Sequence, residues 1–327
     1  MPVIDPSSAP SLAPNPMNSP THPTASTSLS RRGALGALAA AACAGPTAWA
    51  IEPLRRQGPA ALKLSLAAYS FRDRLPNHRS GKPDPKAAMD MPGFIDYCAE
   101  RKLDGVELTS YFLPHPCPPE LADRLKARAV EKGLAISGGA IGNTFALPPG
   151  PELDRQLAYT REWVEAYARM GAPVIRVFAG QPAKGLDPAT AEKHIIENLQ
   201  KACDGLKDKG VVLAVENHDF TTDIDRLLRI VRAVNSPIFA VNLDSGNLAR
   251  TADPYADLAR LAPYAANVQF KAMIPRDGKK EPADFKRLVK IVRDAGYRGF
   301  IVLEYEEREA PETAVPRLLG QLREAIG

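Results

Sequence analysis

The sequence predicts an α/β protein, a closed (β/α)8 barrel preceded by a disordered export segment. Three observations lead there. Eight short apolar runs alternate with helix-like segments from residue 64 to the C-terminus, and strict β-then-α order with strands apolar on both faces is the pattern of a parallel sheet covered by helices. In four of the later runs the site-type residue stands at the C-terminal end. Residues 211–215 run into Glu216, residues 238–243 into Asp244, residues 267–268 into Gln269 and residues 300–303 into Glu304. In a (β/α)8 barrel those strand ends converge on one mouth, where active sites are built. An open doubly wound sheet is the competing arrangement. The count of eight strands argues against it, and so does the lack of a Gly-rich phosphate loop after the first strand.

Composition narrows the class. The chain has 327 residues, 45% hydrophobic and 24% charged, an ordinary globular profile. Its formal charge of +4 is spread over 42 basic and 38 acidic residues. So even a balance, with no aromatic-interleaved basic run, argues against a nucleic-acid partner. Cys43, Cys98, Cys117 and Cys203 show neither CxxC spacing nor a small disulfide framework.

In chain order, residues 1–29 are rich in Pro, Ser, Thr and Ala and cannot form a core. Ser30-Arg31-Arg32 precedes an apolar run over 33–45 that is too short to span a bilayer, and Ala48-Trp49-Ala50 supplies a small-x-small cleavage pattern. This stretch resembles a twin-arginine signal. It divides the chain into residues 1–50, a disordered n-region and signal peptide, and 51–327, the barrel. The expectation is an exported, periplasmic protein handled by the twin-arginine export machinery, with no stable transmembrane span. The segment before the arginines is long, and Met17 offers a later start. A lipid anchor on Cys43 is the lesser alternative, because Ala40-Ala41-Ala42-Cys43 lacks the large apolar residue of a lipobox.

The first strand is expected at 64–70. A helix over 94–102, with Phe94, Ile95 and Cys98 on one face, leads to a strand at 105–108 that carries Glu107. After a Pro-rich loop come a helix over 120–132 and a strand at 135–138. A long helix over 151–170, with Leu153, Leu157, Val164 and Tyr167, delivers the strand 174–178 with Arg176. Helices over 188–209, 223–234, 254–261 and 285–295 feed the strands ending at Glu216, Asp244, Gln269 and Glu304, and a helix over 311–326 closes the ring. Arg276 with Lys279-Lys280 is expected to be a solvated turn, and His78, His115 and His194 lie without ligand spacing.

Side chains alternate along a strand, so Glu216 shares a face with His218, Asp244 with Asn242, Gln269 with Lys271, and Glu304 with Val302. One parity choice per strand points all of these into the barrel. Four oxygen donors, three of them carboxylates, would repel one another without a cation, and a divalent metal is the economical explanation. All-oxygen ligation favours Mg²⁺ or Mn²⁺ over Zn²⁺.

Six fragments occur in order: Asp104-Gly105-Val106-Glu107-Leu108, Arg176-Val177-Phe178, Glu216-Asn217-His218, Asp244-Ser245-Gly246-Asn247, Gln269-Phe270-Lys271 and Leu303-Glu304. Together they resemble the xylose-isomerase-like TIM-barrel superfamily of sugar phosphate isomerases/epimerases, over essentially the whole mature chain. The resemblance implies one divalent ion, Mn²⁺ or Mg²⁺ with Co²⁺ a further option, held by Glu216, Asp244, Gln269 and Glu304. Many relatives carry His where Gln269 stands, and Gln there is similar to the branch that includes dehydroshikimate dehydratases. Many also carry His where Asn247 stands.

The implied chemistry is proton abstraction beside a sugar carbonyl to give an enediolate. Glu216, Glu304 and His218 are the expected catalytic residues, and Glu107, Arg176, Lys271 and Asn247 the expected substrate contacts. Return of the proton to the opposite face is epimerisation, and its return to the neighbouring carbon is aldose–ketose isomerisation. Expulsion of a β-substituent, with His218 as acid, would make the protein a dehydratase or lyase. Export favours a free sugar or sugar derivative over a sugar phosphate. A non-catalytic secreted sugar-binding protein is the third reading. The related DNA-repair endonucleases hold three zinc ions with many histidines, whereas this chain has four beyond residue 50.

A reporter fused to residues 1–55 should cross the inner membrane, and replacing Arg31 and Arg32 together with Lys should stop it. Unchanged export of the double variant removes the twin-arginine reading, and a membrane-bound mature form released by Cys43→Ala selects the lipoprotein.

Overall fold

Apolar strands and capped helices alternate until the sheet closes on itself. The computed structural model describes Leu54, Gly58 and residues 60–79, 81, 83 and 85–327, so the expected signal, its arginine pair and Cys43 lie outside the described residues. Seven barrel strands come first: β1 (Ala61–Ala67), β2 (Gly105–Thr109), β3 (Ala135–Ala140), β4 (Val174–Val177), β5 (Val212–Glu216), β6 (Phe239–Asp244) and β7 (Ala265–Phe270). A short hairpin, β8 (Met273–Arg276) and β9 (Lys279–Pro282), intervenes before β10 (Arg298–Leu303) completes the ring. The closed order is β1-β10-β7-β6-β5-β4-β3-β2, with every neighbouring pair parallel. This is the expected (β/α)8 barrel.

Eight helices surround it: α1 (Met91–Glu100), α2 (Pro119–Glu131), α3 (Pro151–Met170), α4 (Pro188–Asp204), α5 (Ile224–Val234), α6 (Pro254–Leu261), α7 (Phe285–Asp294) and α8 (Pro311–Ile326). Five start on an Asp whose carboxylate accepts from backbone N–H groups of the first turn: Asp90, Asp187, Asp223, Asp253 and Asp284. Each such cap is worth about 1 kcal/mol. The inner stripes are apolar. Leu227, Ile230, Val231 and Val234 bury one face of α5, and Phe285, Leu288, Val289 and Val292 bury one face of α7. Among the described residues no helix is long and apolar enough to cross a membrane.

Boundaries differ from the sequence reading where local chemistry intervenes. The Asp90 cap starts α1 at Met91 rather than Phe94. β1 ends at Ala67, and residues Ala68–Phe71 turn into a 3-10 segment that swings Tyr69 to the barrel mouth. α4 stops at Asp204, five residues before the expected end. The expected solvated turn at Arg276 and Lys279-Lys280 is the exposed end of an antiparallel hairpin, β8–β9, whose Asp277-Gly278 turn has both residues at positive φ. An Asp-Gly pair of this kind is a hairpin signal that charge alone obscured.

Two features of the barrel wall position the site. Gly139 of β3 lies against the Tyr167 ring of α3, so close that a Cβ there would come within 2.5 Å of a ring carbon. Tyr167 is fully buried and its hydroxyl donates 2.7 Å to the Leu108 carbonyl of β2, fastening α3 across two strands. Inside the barrel, polar side chains replace the usual aliphatic layer. Ser65 and Ser137 hydrogen-bond at 2.7 Å, and Glu107, Asn242, Asn267 and Gln269 are all buried. Gly139→Ala should overpack the Tyr167 contact and cost about 1–3 kcal/mol, read as a lower urea midpoint with unchanged slope. Wild-type stability in that variant would mean that Tyr167 is free to move.

Candidate active site

The chain after each barrel strand turns outward, so the last strand residues end in the mouth. There a cavity of about 370 Å³ is lined by Glu216, His218, Arg176, Asn247, Lys271 and Glu304 from the sequence-expected set. Tyr69, Arg79, Tyr111, Asn143, Phe178, Asp219 and Glu306 complete most of the wall. Glu216 and Glu304 come from strands separated by β6 and β7 on one side of the ring and by four strands on the other. The inward parity expected for Glu216, Asp244, Gln269 and Glu304 brings their strand ends to this one mouth.

Two protein cations stand among the carboxylates. The Lys271 ammonium lies 2.6 Å from Glu304 Oε2, 2.8 Å from Glu306 Oε1 and 3.4 Å from Asp244 Oδ2. Burial works against its charge, but Asp244, Glu304, Glu306 and Glu216 outweigh that and hold its pKa well above the ordinary lysine value. Arg176, equally buried, places Nε 3.0 Å from Glu216 Oε2, donates from Nη1 to the Ile141 carbonyl at 2.7 Å, and lies 3.9 Å over the Phe178 ring. Asn247 Nδ2 donates 2.7 Å to the other Glu216 oxygen. Burial raises the Glu216 pKa to about 7, with Glu304 adding to the shift and Arg176, Lys271 and Asn247 opposing it. A carboxyl poised there can give or take a proton at neutral pH.

Beneath this layer a second, sealed one does not reach the cavity. Glu107 accepts 2.7 Å hydrogen bonds from Asn267 Nδ2 and Gln269 Nε2, and Gln269 Oε1 accepts at 2.6 Å from Asn242 Nδ2. Glu107 and Gln269 are both wholly buried. Glu107, expected to touch substrate, is thus a spacer under the site that fixes the β7 amides. Asp244 is also wholly buried. Its backbone is gripped by Asn217, whose Oδ1 accepts from the Asp244 N–H while its Nδ2 donates to the Asp244 carbonyl, both at 2.8 Å. Burial pushes the Asp244 carboxyl well above its ordinary range against the opposing pull of Lys271.

The expected four-ligand metal set does not fit these residues as they are arranged. Gln269 spends its oxygen on Asn242, the Lys271 ammonium stands beside Asp244 and Glu304, and Arg176 stands on Glu216. Among the described residues no group of three or more His, Cys, Asp or Glu side chains is disposed to hold a metal ion. One atom points the other way: Asp244 Oδ2 is buried without a hydrogen-bond partner.

His218 sits at the lip, about one-third exposed, with its ring 4.5 Å from that of Phe178 and Nδ1 3.1 Å from Asp219 Oδ2. Sequence reasoning missed Glu306, Tyr69, Tyr111 and Arg79. Glu306 was recoverable, since it shares strand parity with Glu304. Tyr69 was hidden by the premature end of β1, and Tyr111 and Arg79 reach the mouth from loops whose paths no periodicity encodes.

Residues 95–325 match the family described as xylose isomerase-like TIM barrel. Among solved structures the chain is similar to the probable 3-DHS dehydratase AsbF involved in petrobactin synthesis from Bacillus anthracis (17% identity, 80% of this chain and 97% of that one, TM-score 0.60). It is similar too to the apo form of the 3-keto-D-glucoside 4-epimerase YcjR from E. coli (16%, 81% and 99%, 0.63). A third likeness is to D-psicose 3-epimerase with D-tagatose from Clostridium cellulolyticum H10 (14%, 81% and 96%, 0.62). At such identities these likenesses speak to the fold. Among curated proteins none matches the chain by sequence.

The sealed layer makes a pH-dependent prediction. Burial, with Glu304 adding to it, raises the Glu107 pKa from 4.5 to about 7 against the hydrogen bonds from Asn267 and Gln269 and the charge of Arg176. A carboxyl whose folded pKa exceeds its unfolded one contributes stability that is full below the unfolded value and is lost as pH rises through the folded value. Glu107→Gln removes that titration. Between pH 4.5 and 7.5 the variant should therefore gain on the natural protein by on the order of 3 kcal/mol, at about 1.4 kcal/mol per pH unit. Parallel stability–pH curves for the two proteins would show that Glu107 does not titrate in this window.

Proposed function

From the premise that the chain belongs to the xylose isomerase-like TIM barrel family, we propose that it is an enzyme that moves a carbon-bound proton beside the carbonyl of a free sugar or sugar derivative, as an isomerase or epimerase. One observation carries this reading: two buried carboxylates, Glu216 and Glu304, line one cavity from well-separated strands, each paired with a buried cation. Glu304, held 2.6 Å from the Lys271 ammonium, removes the proton from the carbon. Lys271 and Arg176 are donors for the charge that develops on the carbonyl oxygen, a preorganised stabilisation that needs no rearrangement at the moment of reaction. Glu216, with its pKa near 7, returns a proton to the other face or to the neighbouring carbon. Asn247 and Tyr111 fix the sugar hydroxyls. Where the substrate carries a β-substituent, His218 at the lip protonates the leaving oxygen and the outcome is elimination, the second reaction class open to the same site.

A second reading of the cation rests on Asp244 Oδ2, which has no hydrogen-bond partner and only the 3.4 Å contact with Lys271. A divalent ion, Mn²⁺ or Mg²⁺, would be held by Glu216, Asp244 and Glu304 with Lys271 drawn aside, and would supply the Lewis acid of the reaction. Elemental analysis of the purified protein separates the two: activity that survives exhaustive chelation selects the lysine, and stoichiometric metal lost together with activity selects the ion.

The reaction itself is tested in D₂O by NMR, with free pentoses and hexoses and with 3-keto-glycosides. Deuterium should enter substrate or product at carbon. Glu304→Gln, nearly the same in volume, should lower turnover by roughly 10² or more, the scale of lost general-base catalysis. Lys271→Met should lower kcat while leaving KM within a few-fold. A protein that binds sugars and never exchanges a carbon-bound proton is a binding protein, and an unimpaired Glu304→Gln would move the base to another residue.

A further inference from the structure

A second chamber adjoins the first, and the proton-transfer chemistry makes no use of it. It measures about 350 Å³, and Arg79, Tyr111 and Gly142 line both chambers. Each volume is near the lower end of small-ligand pockets, about 300–1,000 Å³, so the two in series suit a ligand larger than one sugar ring. The far walls come from α3 and from the segment after β2. Tyr159 and Trp163, one helical turn apart on α3, meet His115 at centroid distances of 4.7 and 5.5 Å. The Arg79 guanidinium lies 4.5 Å over the Tyr111 ring at the shared wall.

Two polar atoms in this lining lack partners. Ser110 Oγ and Trp163 Nε1 are buried without a hydrogen-bond partner, in residues 3% and 1% exposed. Buried polar atoms are nearly always satisfied, so a pair of orphans lining one chamber calls for an acceptor or donor brought by a ligand. The chamber's charge is low. Burial pushes the His78 imidazole below its ordinary pKa, and His115 Nε2 lies 2.9 Å from Glu162 Oε2. Among the described lining residues Arg79 is the full cation, and it is stacked on Tyr111. Flat ring faces edged by neutral hydrogen-bonding groups match a pyranose, whose C–H face stacks on aromatic rings while its hydroxyls reach polar tips. A phosphate monoester would call for several converging cations.

We propose that the second chamber is a subsite for a second pyranose ring, glycosidically linked to the sugar that reacts, so that the substrate is a disaccharide or glycoside seated against Tyr159 and His115, with the buried Trp163 ring in contact behind them. This rests on the proton-transfer reading of the first chamber and names its substrate class.

The sequence has two tryptophans, Trp49 and Trp163, so Trp49→Phe leaves Trp163 as a reporter inside the subsite. The full-length protein is titrated with glucose, methyl glucoside, cellobiose, maltose, trehalose and sucrose, with the C3-oxidised forms of these sugars, and with inorganic phosphate. At least one disaccharide should shift Trp163 emission, and the matching monosaccharide should bind without shifting it. Tyr159 is half-buried, and Tyr159→Ala should weaken that disaccharide roughly three- to tenfold, the worth of one aromatic contact, with monosaccharide affinity unchanged. Ser110→Ala, the smallest change available, should act in the same direction should Tyr159→Ala fail to fold. The subsite is overturned if no disaccharide moves Trp163, if phosphate does so in their place, or if deuterium uptake has the same kcat/KM with monosaccharides as with disaccharides. A disaccharide that shifts Trp163 yet never takes up deuterium keeps the subsite and sinks the proton-transfer reading.

Discussion

The ammonium of Lys271 among Asp244, Glu304 and Glu306 is the contact on which the mouth of the barrel depends. Burying a carboxylate costs several kcal/mol unless a partner compensates it, and removing one partner of a buried pair costs about 3–5 kcal/mol. Four carboxylates, Glu107, Glu216, Asp244 and Glu304, lie in this interior with two buried cations, Lys271 and Arg176. The excess of negative charge cannot be carried by geometry alone. Burial above all, with Glu304 adding to it, raises the proton affinity of the Glu107, Glu216 and Asp244 carboxyls. That same affinity is what a site for moving protons near neutral pH requires.

The barrel supports this arrangement in two tiers. The lower tier is a ring of amides, Asn242, Asn267 and Gln269, closed by Glu107 and shut off from solvent. Amides can satisfy one another and a carboxyl without adding net charge, so they hold strand ends in register under a charged layer at little electrostatic cost. The upper tier carries the reactive groups on the last residues of strands, which are stiffer mounts than loops. Asn217 ties the two together. It occupies the parity opposite to Glu216, and by bonding the Asp244 backbone it locks β5 to β6 where their side chains must aim.

Around this rigid centre the variable part is the wall. The fold is shared with proteins of different reactions, and a fold by itself assigns none of them. What distinguishes this chain is which loop and helix residues border the mouth: Tyr69 from the turn after β1, Tyr111 from the turn after β2, Arg79 from the β1–α1 connection, and the aromatic face of α3 beyond them. These residues set how much substrate the site accommodates, while the strand ends set what is done to it.

Much of this was legible in the residues themselves. Apolar runs ending in single polar residues located β5, β6, β7 and β10, and strand parity pointed Glu216, Asp244, Gln269, Lys271 and Glu304 to one end of one barrel, because alternation is a local property of extended backbone. The starts expected for the helices at 254, 285 and 311 coincide with those of α6, α7 and α8. Tertiary structure decided the rest. Parity cannot say whether two inward side chains bond to each other or to a third thing, so Gln269 as a partner of Glu107 and Asn242, and Lys271 as the neighbour of Asp244 and Glu304, emerge only when strands distant in sequence close into a ring. Glu107 stands in the middle of β2, which continues to Thr109, so it lies deeper in the barrel than the strand-end residues that line the cavity. Tyr69, Arg79 and Tyr111 carry no periodic signal, because a loop's path follows from what it packs against, and that is settled by the whole chain.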